Sequence, residues 1–193
     1  MNYLAHLFCS PGSPDVQLGS FIADFVKGRV DGRFPRAVAE GIRDHRKADL
    51  FTDSHEIFSA SRRLISRERR RFAGVIIDVL YDHFLTTGWD RYASVGLDEF
   101  VGTVYANLGR HEAPLPHPVP LVIGRMIRED WLRSYGTVDG LDRTFWRISR
   151  RLSRENTLGS AVAELEANYS ALHVHFHRFF PDLLAHVKPA HHD

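Results

Sequence analysis

Asp78, Asp82 and His83 stand inside FAGVIIDVLYDHFL, residues 72–85, a run whose other members are almost all apolar. A helix that is hydrophobic nearly all round is a buried helix. On it Asp78 and Asp82, four apart, share a face, and His83 lies about 100° round the axis from Asp82. An unpaired carboxylate inside a protein costs several kcal/mol, so buried acids are held with a cationic partner or a metal. No Lys or Arg falls within this run. The compensating charge must come from elsewhere in the fold, and a divalent ion is the economical source.

A second segment carries the same residue types. Val38, Ile42, His45, Asp49 and Asp53 follow helical steps that trace one face, apolar at first and then imidazole and carboxylate. A solvated face more often carries Lys and Glu. Imidazole nitrogen and carboxylate oxygen are ligands for Mn, Fe, Zn or Mg, and a four-residue spacing lets two of them converge on one ion. Alone, His-x-x-x-Asp is weak evidence and reads more readily as a helix N-cap-like or salt-bridged exposed pair. His6 within LAHLF and Asp24 within FIADFV add two more polar groups in apolar surroundings. Taken singly, such a His is a hydrogen-bonded core residue and such an Asp sits on a narrow polar side. Four segments doing this together point to a metal site at the centre of a helical bundle.

The remaining histidines carry less. His173, His175 and His177 alternate, so they cannot share one helix face; His173 and His177 can, as a metal pair or as groups lining the helix before Pro181. His111 and His117 flank a loop and read as exposed, and His191 and His192 belong to the tail.

The elements that must position these groups are helices. Helical spacing covers residues near 2–9, 15–27, 36–58, 70–90, 97–110, 118–133, 139–153 and 158–180, with a short tail helix after Pro181; no alternating strand pattern with hairpin signals occurs. Asp15 is placed to cap the second helix and Pro35 to open the third. The expectation is an all-α, single-domain helical bundle over residues 1–193. Hydrophobic content of 44% and charged content of 25% are those of a globular protein. No apolar run reaches the roughly 18–20 residues of a membrane span, and the start lacks the basic region of a signal peptide. Cys9, the one cysteine, forms no internal disulfide, which suits a reducing cytoplasm, and reads as a small buried hydrophobe.

Charge narrows the function. The net charge is only +1, which argues against a nucleic-acid binder, but Arg62, Arg63, Arg67, Arg69, Arg70 and Arg71 form one basic cluster. Arg143, Arg147, Arg150, Arg151 and Arg154 form a second. No Gly-rich phosphate loop, nucleophile elbow or Cys/His zinc pattern is present.

MNYLAHLF at the start, GSFIADFVKG at 19–28, GIRDHRKADLFTD at 41–53 and DVLYDHFL at 78–85 together resemble the acyl carrier protein phosphodiesterase family, with a looser match in YSALHVHFHRFFPDL. That family is considered a divergent, all-helical branch of the HD-type metal-dependent phosphohydrolases. Here the adjacent pair reads Asp82-His83, reversed from the usual His-Asp, and the ligand order along the chain is rearranged.

The resemblance implies hydrolysis of the phosphodiester joining 4′-phosphopantetheine to a serine of holo-acyl carrier protein, with Mn²⁺ as the ion and Mg²⁺ or Fe²⁺ as alternatives. It implies His45, Asp49, Asp82 and His83 as ligands, with Asp24 and His6 next. Asp78 and Asp53 would orient ligands or position the attacking water. Arg46 would stabilise transition-state charge, and Lys47 would meet the substrate phosphate. Arg63, Arg67 and Arg70 would dock the acidic carrier protein. Neither nucleic acid nor membrane is an expected partner, and the oligomeric state stays open. An HD-like phosphohydrolase acting on a nucleotide or another small phosphate ester would use the same metal residues and is the alternative.

Overall fold

The computed structural model describes residues 1–10, 12–111 and 115–187; Pro11, residues 112–114 and the tail with His191 and His192 lie outside them. Every regular element among the described residues is helical, as the spacing predicts. Helix α1 spans Tyr3–Phe8 and α2 spans Pro14–Ile22, continued by a 3₁₀ turn at Ala23–Phe25. The cap of α2 is Ser13, whose hydroxyl accepts from Val16 N at 3.4 Å, rather than Asp15. Pro14 follows at the first helical position, where its missing N–H costs nothing. Asp15 falls instead in the first turn, where its carboxylate faces the positive end of the helix dipole.

Helix α3 spans Arg36–Ser54 and α4 spans Glu56–Leu64. The single helix expected over 36–58 is therefore broken at His55. That residue turns extended and its Nδ1 accepts from Ile57 N at 3.2 Å, capping α4. An imidazole cap leaves none of the Ser, Asp, Gly or Pro signals that mark a helix start in sequence. A 3₁₀ stretch, Arg67–Phe72, leads into α5, Ala73–Thr87. As its composition requires, α5 is buried along almost its whole length, from Ala73 to Leu85.

Next come α6 (Leu97–Arg110), α7 (Val119–Arg128), the one-turn α8 (Trp131–Ser134) and α9 (Val138–Ser149). The expected helix over 118–133 is split at Asp130, whose positive φ of 47° ends α7 and starts α8. The last helix, α10, spans Ala163–Val187 and runs straight through Pro181, where a stop was expected. An interior proline costs about 3 kcal/mol. Phe176, Phe179, Phe180 and Leu183, all buried on the same segment, supply enough apolar burial to hold it.

Two glycines fix how the site-bearing helices meet. A Cβ on Gly19 would lie 2.1 Å from Val38 O, and one on Gly41 would lie 2.0 Å from Val16 O. Helices α2 and α3 thus touch backbone to backbone. That contact brings Asp24, just past α2, beside His45, one turn beyond Gly41.

Candidate metal centre and its cavity

His45 and Asp49 project from one face of α3, as their spacing requires, and His45 is buried while Asp49 is half-exposed. Asp24 reaches in from the turn after α2 and His6 from α1. His45 Nε2 lies 3.2 Å from Asp49 Oδ2 and 3.3 Å from Asp24 Oδ1. His6 Nε2 lies 3.0 Å from Asp49 Oδ1. The two imidazoles stack, centroids 3.6 Å apart and nearly parallel at 10°, so both Nε2 atoms point at the same carboxylate.

Helix α5 serves this centre from behind. Asp82 accepts from Leu4 N at 2.9 Å and from Ala5 N at 3.0 Å, occupying both carboxylate oxygens. Helix α1 has no side-chain cap of its own, so Asp82 satisfies two buried donors in its first turn and seats the helix that carries His6. Asp78, one turn earlier, pairs with the Met1 ammonium at 3.1 Å, and the same ammonium lies 3.3 Å from Asp49 Oδ1. The charge inside α5 is therefore met in part by backbone N–H groups and an amine, where the sequence pointed to an ion.

The structure gathers His6, His45, Asp49 and Asp24, and not the expected quartet of His45, Asp49, Asp82 and His83. The turn of about 100° between neighbours on a helix sends His83 to the other side of α5, where its Nδ1 meets Tyr135 O at 2.8 Å. His6, ranked behind them in sequence, becomes central.

A cavity of about 270 Å³ opens over the cluster, with Asp24, Asp49, Asp53 and Asp78 all on its wall. Asp53, one turn beyond Asp49, is exposed and among the described residues makes no hydrogen bond or ion pair. Arg46 donates to Gly28 O at 2.8 Å and Val26 O at 2.6 Å, clamping the loop that follows Asp24. Lys47, Arg63, Arg67 and Arg70 are exposed and do not line the cavity. Arg69, from the same basic run, turns inward to Glu164 Oε1 at 3.2 Å and Thr157 O at 3.1 Å.

The electrostatics follow from crowding acids around two imidazoles. Burial alone would lower the His45 pKa, but hydrogen bonds to Asp24 and Asp49 outweigh it and raise the pKa to about 9. His6 goes the other way, lowered by burial and by the Met1 ammonium. Burial would raise Asp49, yet His45, His6 and the ammonium hold it well below the carboxylate range. Asp82 is pushed up by burial, to about 7, with its two backbone donors offsetting only part of the cost.

The donor set fits a divalent cation. His6, His45 and Asp49 each present a ligand atom within 4.8 Å of the others. His6 Nε2 is buried and, among the described residues, makes no well-aligned hydrogen bond despite its nearness to Asp49. A buried ring nitrogen beside a carboxylate without bonding it is a position from which a neutral imidazole can ligate an ion. The mixed nitrogen and oxygen set suits Mn, Fe or Zn.

A proton on His45 competes with that ion, which sets a pH dependence. In the metal-free protein His45 has a pKa of about 9, above the unfolded value of about 6.5. Its stabilising contribution is complete below pH ~6.5 and is lost as pH rises through ~9. Thermal melts of metal-free protein should therefore show stability falling over that window. Mn²⁺ affinity should rise across it, because the ligand must shed its proton. Calorimetry in two buffers should show proton release on binding; Mn²⁺ affinity that is flat with pH would remove His45 from the site.

An all-helical protein in which separate helices bring imidazoles and carboxylates to one open cavity is of the class that can hold a catalytic cation between helices. The chain belongs to the acyl carrier protein phosphodiesterase family, whose description as a family matches residues 1–183. It is 32% identical over 189 residues to an acyl carrier protein phosphodiesterase of Serratia proteamaculans, covering 97% of this chain and 98% of that one. It is 29% identical to the protein of that name from Photorhabdus laumondii, over 95% of this chain and 93% of the relative. The Salmonella agona protein of the same name is 31% identical, over 96% of each. No solved structure matches the chain significantly.

Proposed function

We propose that this protein is a divalent-metal-dependent phosphodiesterase that releases 4′-phosphopantetheine from the serine of holo-acyl carrier protein, leaving the apo form. The observation that carries the reading is the convergence of His6, His45, Asp49 and Asp24, with Asp24 and Asp49 on the wall of one open cavity, in a chain of this family. These four residues would hold the ion, Mn²⁺ by preference. Such an ion supplies Lewis-acid polarisation of a phosphate oxygen and acidifies water for attack.

The chain's own groups divide the rest of the work. Asp53, unpaired at the cavity wall, is the proposed acceptor for the proton of the attacking water. Asp78, tied to the Met1 ammonium, braces Asp49 from behind. Asp82 and Arg46 act as positioning residues, the first by seating α1 and the second by fixing the loop behind Asp24. His83 and Lys47 stand outside this arrangement. Arg63, Arg67 and Arg70, exposed beyond the cavity, provide a basic surface suited to docking a strongly acidic carrier protein.

Mass spectrometry of purified holo-acyl carrier protein after incubation with this protein tests the reading. Loss of the prosthetic group with Mn²⁺, and none with chelator, is the expected result. Intact holo protein, with turnover of small phosphate esters or nucleotides in the same buffer, would assign the site to a small-ester phosphohydrolase instead.

A further inference from the structure

A second cavity, of about 180 Å³, adjoins the first and shares Asn2, Asp24 and Ile148 with it. Its distinctive wall comes from α9 and the turn after it, where Arg147 and Arg151 stand four residues apart. The Arg147 side chain is only 8% exposed. Its guanidinium lies 4.2 Å over the Trp131 ring, and its Nη2 donates to Thr144 Oγ1 at 2.7 Å. The nearest carboxylate, Glu129, is 3.7 Å away, beyond hydrogen-bonding range. Glu129 already accepts from Arg125 and from Trp131 Nε1, both at 2.8 Å. Arg147 is thus a buried cation whose charge is incompletely answered, facing a cavity. Arg151 is exposed, approaches the same indole at 5.9 Å and sits beside the Tyr3 hydroxyl.

Buried charge without a full partner is expensive, and an anion is what would relieve it. Guanidinium groups hold phosphate through paired N–H donors, and stacking on an aromatic ring fixes the plane of those donors. Asp24 takes part in both cavities, so an anion beside Arg147 and Arg151 lies next to the His6–His45–Asp49 cluster. We propose that Arg147 and Arg151 form a phosphoryl subsite that grips the non-bridging oxygens of the substrate phosphate and keeps hold of the phosphate-monoester product. The inference rests on the phosphodiesterase reading for its substrate, but the subsite binds phosphate with or without turnover.

Isothermal titration of metal-free protein with inorganic phosphate separates the two. Wild-type protein binds phosphate, and Arg151→Gln, an exposed position, weakens that binding about tenfold, the worth of one charge-assisted hydrogen bond. Arg147→Lys keeps the charge but loses the planar fork, and weakens it further; if that variant fails to fold, Arg151→Gln alone decides. Arg143→Gln, exposed on α9 and outside the cavity wall, binds phosphate as wild type does. In the hydrolysis assay Arg151→Gln raises KM for holo-acyl carrier protein more than it lowers kcat. Phosphate binding that is absent in wild type, indifferent to Arg151→Gln, or weakened equally by Arg143→Gln would overturn the subsite. Failure of wild-type protein to cleave holo-acyl carrier protein would overturn the function and leave the binding result standing.

Discussion

Replacing Asp49 by Ala is expected to lower turnover of holo-acyl carrier protein by on the order of 10³-fold, because metal-borne charge stabilisation amounts to several kcal/mol and each 1.4 kcal/mol is tenfold. Asp49 is the one residue that both imidazoles and the Met1 ammonium address. Its loss leaves His6 and His45 without the oxygen that completes the three-ligand group. The fold should survive, since the Asp49 side chain is 39% exposed and, among the described residues, bonds no backbone amide. Circular dichroism and a thermal melt near wild type, with activity and Mn²⁺ affinity lost together, is the expected combination. Retained Mn²⁺-dependent cleavage would place the ion elsewhere.

Asp82→Ala gives the contrast. That variant strips the acceptors from Leu4 N and Ala5 N, and each buried donor left unsatisfied costs about 1–3 kcal/mol. Activity should fall there too, but accompanied by a lowered melting temperature, because α1 and His6 lose their seat. The two carboxylates look alike in sequence, each an acid in a helix with a histidine close by. They differ in what faces them, and only the tertiary contact between α1 and α5 decides that.

What could be read from residue order was the part governed by local periodicity. The burial of α5, the shared face of His45 and Asp49, and the all-helical architecture all follow from spacing along one helix. What could not be read depended on groups that carry no side-chain signature or on partners far along the chain. Backbone N–H groups satisfied Asp82 and an amine answered Asp78, neither of which registers as a Lys or Arg. His55 started a helix with an imidazole cap. Arg46, next to His45 in sequence, points to the loop after Asp24, whereas Arg147, a hundred residues on, faces a cavity joined to the site. The second basic cluster was visible as composition, but the place of Arg147 and Arg151 on a cavity adjoining the centre appears only once α9 is packed against α5.

Gly41→Ala should cost about 3 kcal/mol or more, toward the upper end for overpacking, and disable the site with it. A methyl group there would sit 2.0 Å from Val16 O and 2.8 Å from Ser20 N, both backbone atoms of α2. Neither can rotate aside as a flexible side chain would, so the helices must separate. For a chain of this length that corresponds to a fall in melting temperature of roughly 10 °C. His45 lies one turn along from Gly41, and its 3.3 Å contact with Asp24 spans the same interface. Separation therefore weakens Mn²⁺ binding as well as the fold, and the two losses should track each other in Gly19→Ala, where the incoming methyl meets Val38 O at 2.1 Å. Gly102→Ala supplies the control: nothing lies within 4 Å of its Cβ position on α6, so replacing a mid-helix glycine there should stabilise by about 0.5–1 kcal/mol. Were Gly41→Ala to melt like wild type and bind Mn²⁺ as tightly, the α2–α3 backbone contact would not be what holds Asp24 against His45.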